Sequence, residues 1–583
     1  MGKERHEVSD MSQGRASGPV PLVLMERSVT AIIAIVFALG LHRSFVANIN
    51  WDEFYYLSQV HLYRNGLLSL SLQTAHVHLF GWLPFVSKNE VHQVFAARVF
   101  LWLLSIASSA LIYVIAKKFC SRAAALLSVL FYLGFSYVVD HVLSFRSDPI
   151  CAFLFLATLY FLLNADRSRY HIVISAFVLA VAMMVSVKSV FYLGTIGTIF
   201  LGLFLLESDK RAIAKQALVF AVAFSVSLLV LYQAHNYSLA SASQTDATGY
   251  IRNVGTKTLL SVPFLPRLDY ILNALSQNGL IWLFVFLGLA KAGYGLVEGR
   301  DRKGAVVLVS FAVPLLSLLF YRNAFPYFYV FLMPAVVILG GVFADALIET
   351  FRRSRSKVLM LALGGTVVMI SVSFLADYIR RLPDQTAAQA EIIALTHRMF
   401  PEPVPYIDRN SMISSYPKVG FFMSTWGVEG YLARSRPIME DLIRREQPKF
   451  MIANSCGLDI DQPWVEYERL CPYRLFHDDF ETLRANFVHQ WGAIYVAGKA
   501  FELRVASAPE RFEILIAGIY TIEADAAVSV DGAVHRPDSQ VRFDQGGHEI
   551  AAVDEATPVV LRWGVDLYKP SHGASSQPIY YGF

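Results

Sequence analysis

Eleven stretches of apolar, almost uncharged sequence recur between residues 28 and 376, and they leave such a chain few folds to adopt. They lie near 28–47, 94–116, 122–139, 149–164, 171–187, 190–206, 214–233, 279–297, 304–320, 326–348 and 357–376. A run of about 17 to 25 apolar residues crosses the hydrocarbon core as a helix, because a backbone without water must satisfy its own N–H and C=O groups. Only 16% of the 583 residues are charged, where a soluble domain carries about a quarter. The expected fold class is therefore an α-helical polytopic membrane protein with about eleven transmembrane helices. Residues 1–27 are polar and mixed in charge, with no cleavage site after an early apolar core, and read as a cytoplasmic tail.

Basic residues set the expected orientation. Lys117, Lys118 and Arg122 share one connection, Arg167 and Arg169 the next but one, and Lys210, Arg211 and Lys215 another. Arg300, Arg302 and Lys303 follow, then Arg352, Arg353, Arg355 and Lys357. With every run a true span, all five clusters fall on one side, the cytoplasmic side by the positive-inside rule. The loop 48–93, the loop around Arg146, the loop from 234 to 277 (with Arg252, Lys257 and Arg267) and everything beyond about 377 then face outward. The net charge of +4 is small, and no basic stretch alternates with aromatics in a soluble context, so nucleic acid is not an expected partner. A bacterial inner membrane is the expected location, since no eukaryotic retention signal is present.

Beyond residue 377 the composition becomes that of a soluble protein. A helix is expected over 384–399 and another over 438–445, with short buried strands at 404–408, 450–453 and 493–497, which together read as an α/β unit over 377–505. From 506 to 583 strands alternate with turns, as at 512–520, 527–532, 541–543 and 559–563. The Asp531-Gly532 step is a hairpin signal, and a small β-sandwich is expected there. Cys456 and Cys471, fifteen residues apart on the oxidising side, are the expected disulfide. Cys120 and Cys151 sit in apolar runs and read as packing residues.

Against this background a few polar residues stand out. Asp52-Glu53 follow the first span, and adjacent carboxylates beside hydrocarbon are costly unless they do chemistry or bind an ion. The plainer reading is an acidic turn capping a helix that begins near Phe54. Residues 54–63 and the Trp-bearing piece 79–86 suit helices lying on the membrane surface. His76 and His78 have a spacing that a metal could use, but no Cys or acidic residue stands beside them. Arg146, on the outer face, is an exception to the charge rule and is suited to a phosphate, whereas Asp148 before Pro149 has an ordinary use as a helix cap. Lys188, alone between two apolar runs, needs an anion or a carboxylate, or else reaches the interface along its own stem. Arg322 lies in the aromatic outer stretch Tyr321–Tyr329.

The order of these motifs resembles that of the GT-C superfamily of membrane glycosyltransferases. It is most similar to the branch of protein O-mannosyltransferases and lipid A aminoarabinose transferases. Over roughly residues 28–350 the resemblance rests on Asp52-Glu53 after the first span, Ala96-Ala97-Arg98 opening the second and Arg146-x-Asp148-Pro149 before the fourth. Lys188 at the end of the fifth and Arg322 with Pro326-Tyr327 and Met333-Pro334 complete it. Where the family often has Pro-Pro-Leu, this chain has Ala75–Phe80. The resemblance implies inverting transfer of a sugar from a polyprenyl-phosphate donor to a glycan, lipid or protein acceptor. In that scheme Asp52, Glu53 and Asp148 are the candidate catalytic carboxylates. Arg146, Lys188 and Arg322 would bind donor phosphate, and Tyr55, Tyr56, His76, His78 and Tyr327 are candidate substrate contacts. A divalent ion, Mg or Mn, is used by some members of the superfamily and not by others. A flippase of lipid-linked sugars would instead carry polar breaks at mid-membrane depth, and a non-catalytic envelope assembly protein would leave the acidic pair and the outer cations without a purpose.

Overall fold

The computed structural model describes residues 20–165, 170–240, 263–299, 301–505 and 507–581; Arg252 and Lys257 lie outside them. Each expected apolar run is helical. Among the described residues, eight helical segments are long and apolar enough to cross a membrane, and the runs beginning at 122, 147 and 170 form three shorter apolar helices. The chain is an integral membrane protein. In chain order the bundle holds α1 (Val20–Val46), α2 (Trp51–Arg64), α3 (His76–Phe80), α4 (Glu90–Ala116), α5 (Arg122–Leu133), α6 (Ser136–His141), α7 (Ser147–Leu162) and α8 (Tyr170–Val185). It continues with α9 (Val190–Leu206), α10 (Lys210–Tyr237), α11 (Leu268–Gln277), α12 (Gly279–Glu298), α13 (Arg302–Ser310), α14 (Phe328–Ser354) and α15 (Lys357–Arg380). The first helix is already formed at Val20, ahead of the run expected near 28, and Glu26 on its extra turns lies 3.6 Å from Arg122.

At the centre is α14, which packs against α4, α5, α7, α12 and α15. Lipid gives helices no hydrophobic reason to associate, so they must fit closely. Gly288 of α12 shows how closely, since a Cβ there would stand 1.8 Å from the Leu339 carbonyl oxygen. The alternation of the helices puts Lys117, Lys210, Arg302 and Arg352 at one end of the bundle, and Asp52, Arg146 and Lys188 at the other.

The connection from α1 to α4 differs from expectation in one respect. α2 does not lie on a membrane surface: Phe54, Leu57 and Val60 are wholly buried, with the bundle beneath and the C-terminal half above, where Ser414 Oγ donates to the Phe54 carbonyl. The piece 79–86 does keep apolar side chains outside, with Trp82 and Phe85 exposed, as an interfacial segment would.

The C-terminal half sits on the Asp52 end. Its helices are α16 (Ala387–Met399), α17 (Thr425–Leu432), α18 (Met439–Glu446), α19 (Trp464–Leu470) and α20 (His477–Asn486). Its strands are β1 (Tyr406–Ile407), β2 (Lys418–Val419), β3 (Phe450–Ile452), β4 (Phe487–Trp491), β5 (Ile494–Leu503) and β6 (Glu510–Ile514), then β7 (Gly518–Ala524), β8 (Val528–Val530), β9 (Ala533–His535), β10 (Gln540–Phe543), β11 (Gly546–Ala552) and β12 (Thr557–Trp563). An eight-stranded sheet runs β10-β7-β12-β5-β3-β1-β2, with β4 also on β5, and a four-stranded sheet runs β6-β11-β8-β9. Residues 494–497 of β5 pair with β3 and β4, and residues 498–503 with β12, so one strand joins the α/β part to the sandwich. Phe501, Ile522, Phe543 and Leu561 from one sheet meet Ile514, Val530 and Ile550 from the other. The expected single strand 512–520 is two strands, because Leu515–Ala517 carry the chain from one sheet to the other. Asp531 and Gly532 have φ of 48° and 81°, the left-handed pair that a two-residue hairpin requires. Cys456 and Cys471 are joined by a disulfide, and Cys151 is buried.

Candidate active site

The acidic pair divides its duties because successive helical residues point about 100° apart. Asn50 caps α2 by accepting the Asp52 N–H at 3.0 Å, and the Glu53 carboxylate accepts the Asn50 N–H at 3.0 Å, a reciprocal box. Glu53 is wholly buried. Its oxygens also accept from Arg98 at 2.6 and 2.9 Å and from the Phe145 N–H at 2.7 Å. Arg98 in turn donates to the carbonyls of Ala47 and Asn48 at 2.7 and 2.9 Å. A carboxylate survives at this depth only when paired and hydrogen-bonded. Glu53 thereby ties together the exit of α1, the start of α2, α4 and the approach to α7, and it has no oxygen left over for a substrate proton.

Asp52 points the other way, into a chain of charges. It pairs with Arg146; the Arg146 Nε lies 3.7 Å from Asp148 Oδ2; Asp148 pairs with Lys188. Arg146 takes the extended cap position of α7, which leaves Asp148 inside the first turn, where a helix N-terminus favours a negative charge. The Tyr327 ring floors the cluster, 3.6 Å from the Arg146 guanidinium and 5.6 Å from Lys188 Nζ. Burial alone would lower the Arg146 pKa, but Asp52, Tyr327 and Asp148 raise it, so the guanidinium stays charged. The buried Nε of Arg146 and Oδ2 of Asp148 face one another without a hydrogen bond to either. Two carboxylates and two cations thus balance, with unused hydrogen-bonding capacity at the middle. Among the described residues no three of His, Cys, Asp or Glu converge as a metal set.

Aromatic and histidine side chains close one flank. The Tyr56 hydroxyl is 3.2 Å from Ser147 Oγ, and burial pushes its pKa up to about 12. His76 packs edge-on against the Tyr56 ring, with Nε2 3.3 Å from the Tyr56 carbonyl oxygen; burial lowers its pKa to about 4, so it is neutral. His78 turns away to His235 at 2.8 Å, and His235 reaches Thr74 Oγ1 at 2.9 Å. Below lies an apolar cavity of about 710 Å³ lined by His76, His78, Phe100, Leu104, Ile150 and Val185 among others. Its upper wall stands next to Asp148 and Lys188 in sequence. Tyr55 stacks on Phe422 of the C-terminal half at 4.6 Å. Arg322, expected beside Arg146 and Lys188, instead pairs with Glu429 and lies 4.5 Å over the Trp426 ring, both on α17.

The roof comes from residues that sequence reasoning did not single out. The Arg409 guanidinium lies 4.0 Å over the Trp51 ring, and Asn410 donates to the Trp51 carbonyl at 2.8 Å. Tyr580 meets Trp51 edge-on at 5.8 Å and donates to Asn410 at 3.0 Å.

The fold has counterparts among solved structures. The apo oligosaccharyltransferase of Archaeoglobus fulgidus superposes with a TM-score of 0.55 at 10% identity, over 89% of this chain and 76% of that one. The same organism's AglB, in complex with an inhibitory peptide and a dolichol-phosphate, gives 0.55 at 9% identity, over 94% and 98%. ArnT from Cupriavidus metallidurans, bound to undecaprenyl phosphate, gives 0.51 at 14% identity, over 73% and 93%. The chain has the GT-C fold. Residues 89–233 also match the model of the dolichyl-phosphate-mannose-protein mannosyltransferase family. That segment of the GT-C fold holds Arg98, Arg146, Asp148 and Lys188, while Asp52 and Glu53 precede it. No curated protein matches the chain in sequence.

Proposed function

We propose that this chain is a membrane glycosyltransferase that moves a sugar from a polyprenyl-phosphate donor to an acceptor hydroxyl, on the membrane face away from the basic loops, with inversion at the anomeric carbon. The observation that carries the reading is the buried sequence Asp52–Arg146–Asp148–Lys188, with an apolar cavity lined by Ile150 and Val185, close in sequence to Asp148 and Lys188. In this reading the cavity takes the isoprenoid chain, and Arg146 and Lys188 are the cations for its phosphate.

In the transfer, the acceptor oxygen attacks the anomeric carbon as the bond from that carbon to the phosphate oxygen breaks. The acceptor proton passes to the Asp52 carboxylate, and polyprenyl phosphate leaves with the bond's electron pair. A carboxylate positioned at the acceptor is a suitable base. Charge growing on the leaving phosphate is offset by fixed cations in a site of low polarity. Arg146 links the two participants, because its guanidinium pairs with Asp52 and adjoins Asp148, the carboxylate that holds Lys188. Asp148 holds both cations in place, Glu53 positions the turn that carries Asp52, and Arg322 anchors the covering domain through α17.

The test uses purified protein and a panel of radiolabelled polyprenyl-phosphate sugars, comparing wild type with Asp52→Asn. Release of polyprenyl phosphate by wild type, with a loss of well over about tenfold in the folded variant, is expected. Full activity in the variant would remove Asp52 from the role of base, and a donor that binds without being consumed would favour a flippase.

A further inference from the structure

The C-terminal half holds a pocket that the transfer site does not use, at the edge of its parallel strands. β2 and β3 both run parallel to β1, and such sheets bind ligands at the loops beyond the carboxyl ends of their strands. Here those loops meet the catalytic turn. After β1, Arg409 lies over Trp51; after β2, Phe422 stacks on Tyr55, and the Met423 N–H donates to the Arg409 carbonyl at 2.9 Å. Tyr55 is three residues beyond Asp52 on α2 and so shares its face. Gly420, with φ of 84°, turns the chain out of β2. The next two side chains diverge, Phe422 to Tyr55 and Phe421 to the Tyr431 ring at 4.9 Å.

Phe421 also walls a pocket of about 370 Å³ beside β2, within the range of small-molecule sites, about 300 to 1,000 Å³. Ile438 and Leu442 extend its apolar wall, and Lys418, Arg434, Arg445 and Glu446 supply its charges. Three cations therefore face one carboxylate, and Glu446 is already taken by Arg445 Nε at 2.8 Å. The nearby carboxylates of Glu440 and Glu513 are held by Arg444 instead. Lys418 Nζ donates to the carbonyls of Val419 and Phe421 at 3.2 and 2.9 Å. An ammonium has three donors, so one N–H is left without an acceptor among the described residues, and the charge without a paired carboxylate. Burial lowers the Lys418 pKa, with only Asp408 opposing it. Arg434, exposed beyond α17, makes no side-chain ion pair among the described residues. A desolvated ammonium favours a counter-charge, and an anionic group in the pocket would supply one to a wall with two cations in excess.

We propose that this pocket binds an acidic saccharide through a carboxylate or phosphate group, with its sugar rings against Phe421 and Leu442. It is a remote unit of the acceptor glycan, whose reacting end runs past the Tyr55–Phe422 stack to Asp52. A saccharide suits the pocket better than an acidic peptide, because the cations border an apolar, partly aromatic wall on which the C–H face of a sugar ring packs. The acceptor assignment rests on the transferase reading above; the anion pocket does not.

The experiment uses full-length protein in phosphatidylcholine nanodiscs and measures binding of trigalacturonate, its uncharged methyl ester and hexaglutamate by calorimetry. Trigalacturonate should bind at least about tenfold tighter than the ester, and less tightly as salt rises. Arg434→Glu and Arg445→Gln should each weaken it at least about tenfold, while Arg434→Lys, which keeps the charge, should stay within about threefold. Undecaprenyl phosphate should bind all three variants within about twofold of wild type. Lys188→Gln should lose undecaprenyl phosphate and keep trigalacturonate. Absence of trigalacturonate binding, equal binding of acid and ester, or unchanged binding in both Arg434→Glu and Arg445→Gln would overturn the proposal. Tighter binding of hexaglutamate than of trigalacturonate would make the occupant an acidic peptide and overturn the saccharide assignment. Trigalacturonate that binds without altering polyprenyl phosphate release would remove the acceptor assignment and leave the pocket. Failure of undecaprenyl phosphate to bind anywhere would sink the transferase reading, while the Arg434 comparison would still decide the pocket.

Discussion

Asp148 is only 1% exposed and stands between two cations, whereas Asp52 keeps 18% of its side chain accessible and meets one. Removing one member of a buried ion pair strands its partner and costs about 3–5 kcal/mol. Asp148→Asn is therefore expected to lower the thermal unfolding midpoint of the detergent-solubilised protein much more than Asp52→Asn, while both lose activity; equal shifts would count against this division of roles. A second prediction concerns His76, whose pKa burial lowers to about 4 from an ordinary 6.5. The unfolded chain then binds a proton that the folded one refuses, so stability is full above pH 6.5 and falls as the pH drops toward 4. At pH 4 the loss is about 3 kcal/mol from this one residue. His76→Gln should flatten the fall of the unfolding midpoint over that interval. Asp52, Arg146, Asp148 and Lys188 were legible in the sequence because a charge at the edge of an apolar run has strong contrast. Arg409 and Tyr580 had none, being polar or aromatic residues in a polar domain, and Asn410 reaches Trp51 across 359 positions of chain. Arg322, grouped with Arg146 and Lys188 through the resemblance, turns instead to Glu429 and Trp426, partners more than a hundred positions away that its own surroundings in sequence do not announce.

Among the elements, those with a strong period or a fixed turn chemistry were readable in advance. The apolar runs gave helices, and Asp531-Gly532 gave a hairpin. The misreadings were of burial: α2 has the mixed polarity of an interfacial helix, yet a second domain covers the face that would have met water or lipid. The switch of sheet at Leu515–Ala517 was likewise invisible, since all three residues are apolar and continue a strand pattern. The disulfide closes a separation of 15 residues around α19. Constraining such a loop in the unfolded chain is worth about 3 kcal/mol. Replacing both cysteines with serine should lower the midpoint for the C-terminal half without changing donor binding at Lys188; calorimetry with a parallel donor-binding measurement would show whether the two separate.

On the scale of the molecule, the segment Ile579–Tyr581 returns to the start of α2. Asn48 donates to the Ile579 carbonyl at 3.1 Å, Gln389 donates to it at 2.9 Å, and the Tyr581 N–H reaches Asn48 at 3.3 Å. The covering domain is thus fastened to the acidic turn by residues over 500 positions away, and Tyr580→Ala is expected to reduce kcat/KM about tenfold by loosening Trp51 and Asp52. Unaltered kinetics would show that Arg409 and Asn410 suffice. The shared strand β5 also bears on how this protein can be dissected in the laboratory. A piece ending at residue 505 would expose residues 498–503 of β5 without β12, a bare edge of the kind that recruits other chains. A soluble fragment intended for crystallisation or antibody production would have to begin before α16 and keep every strand through β12, and shorter ones are expected to clump.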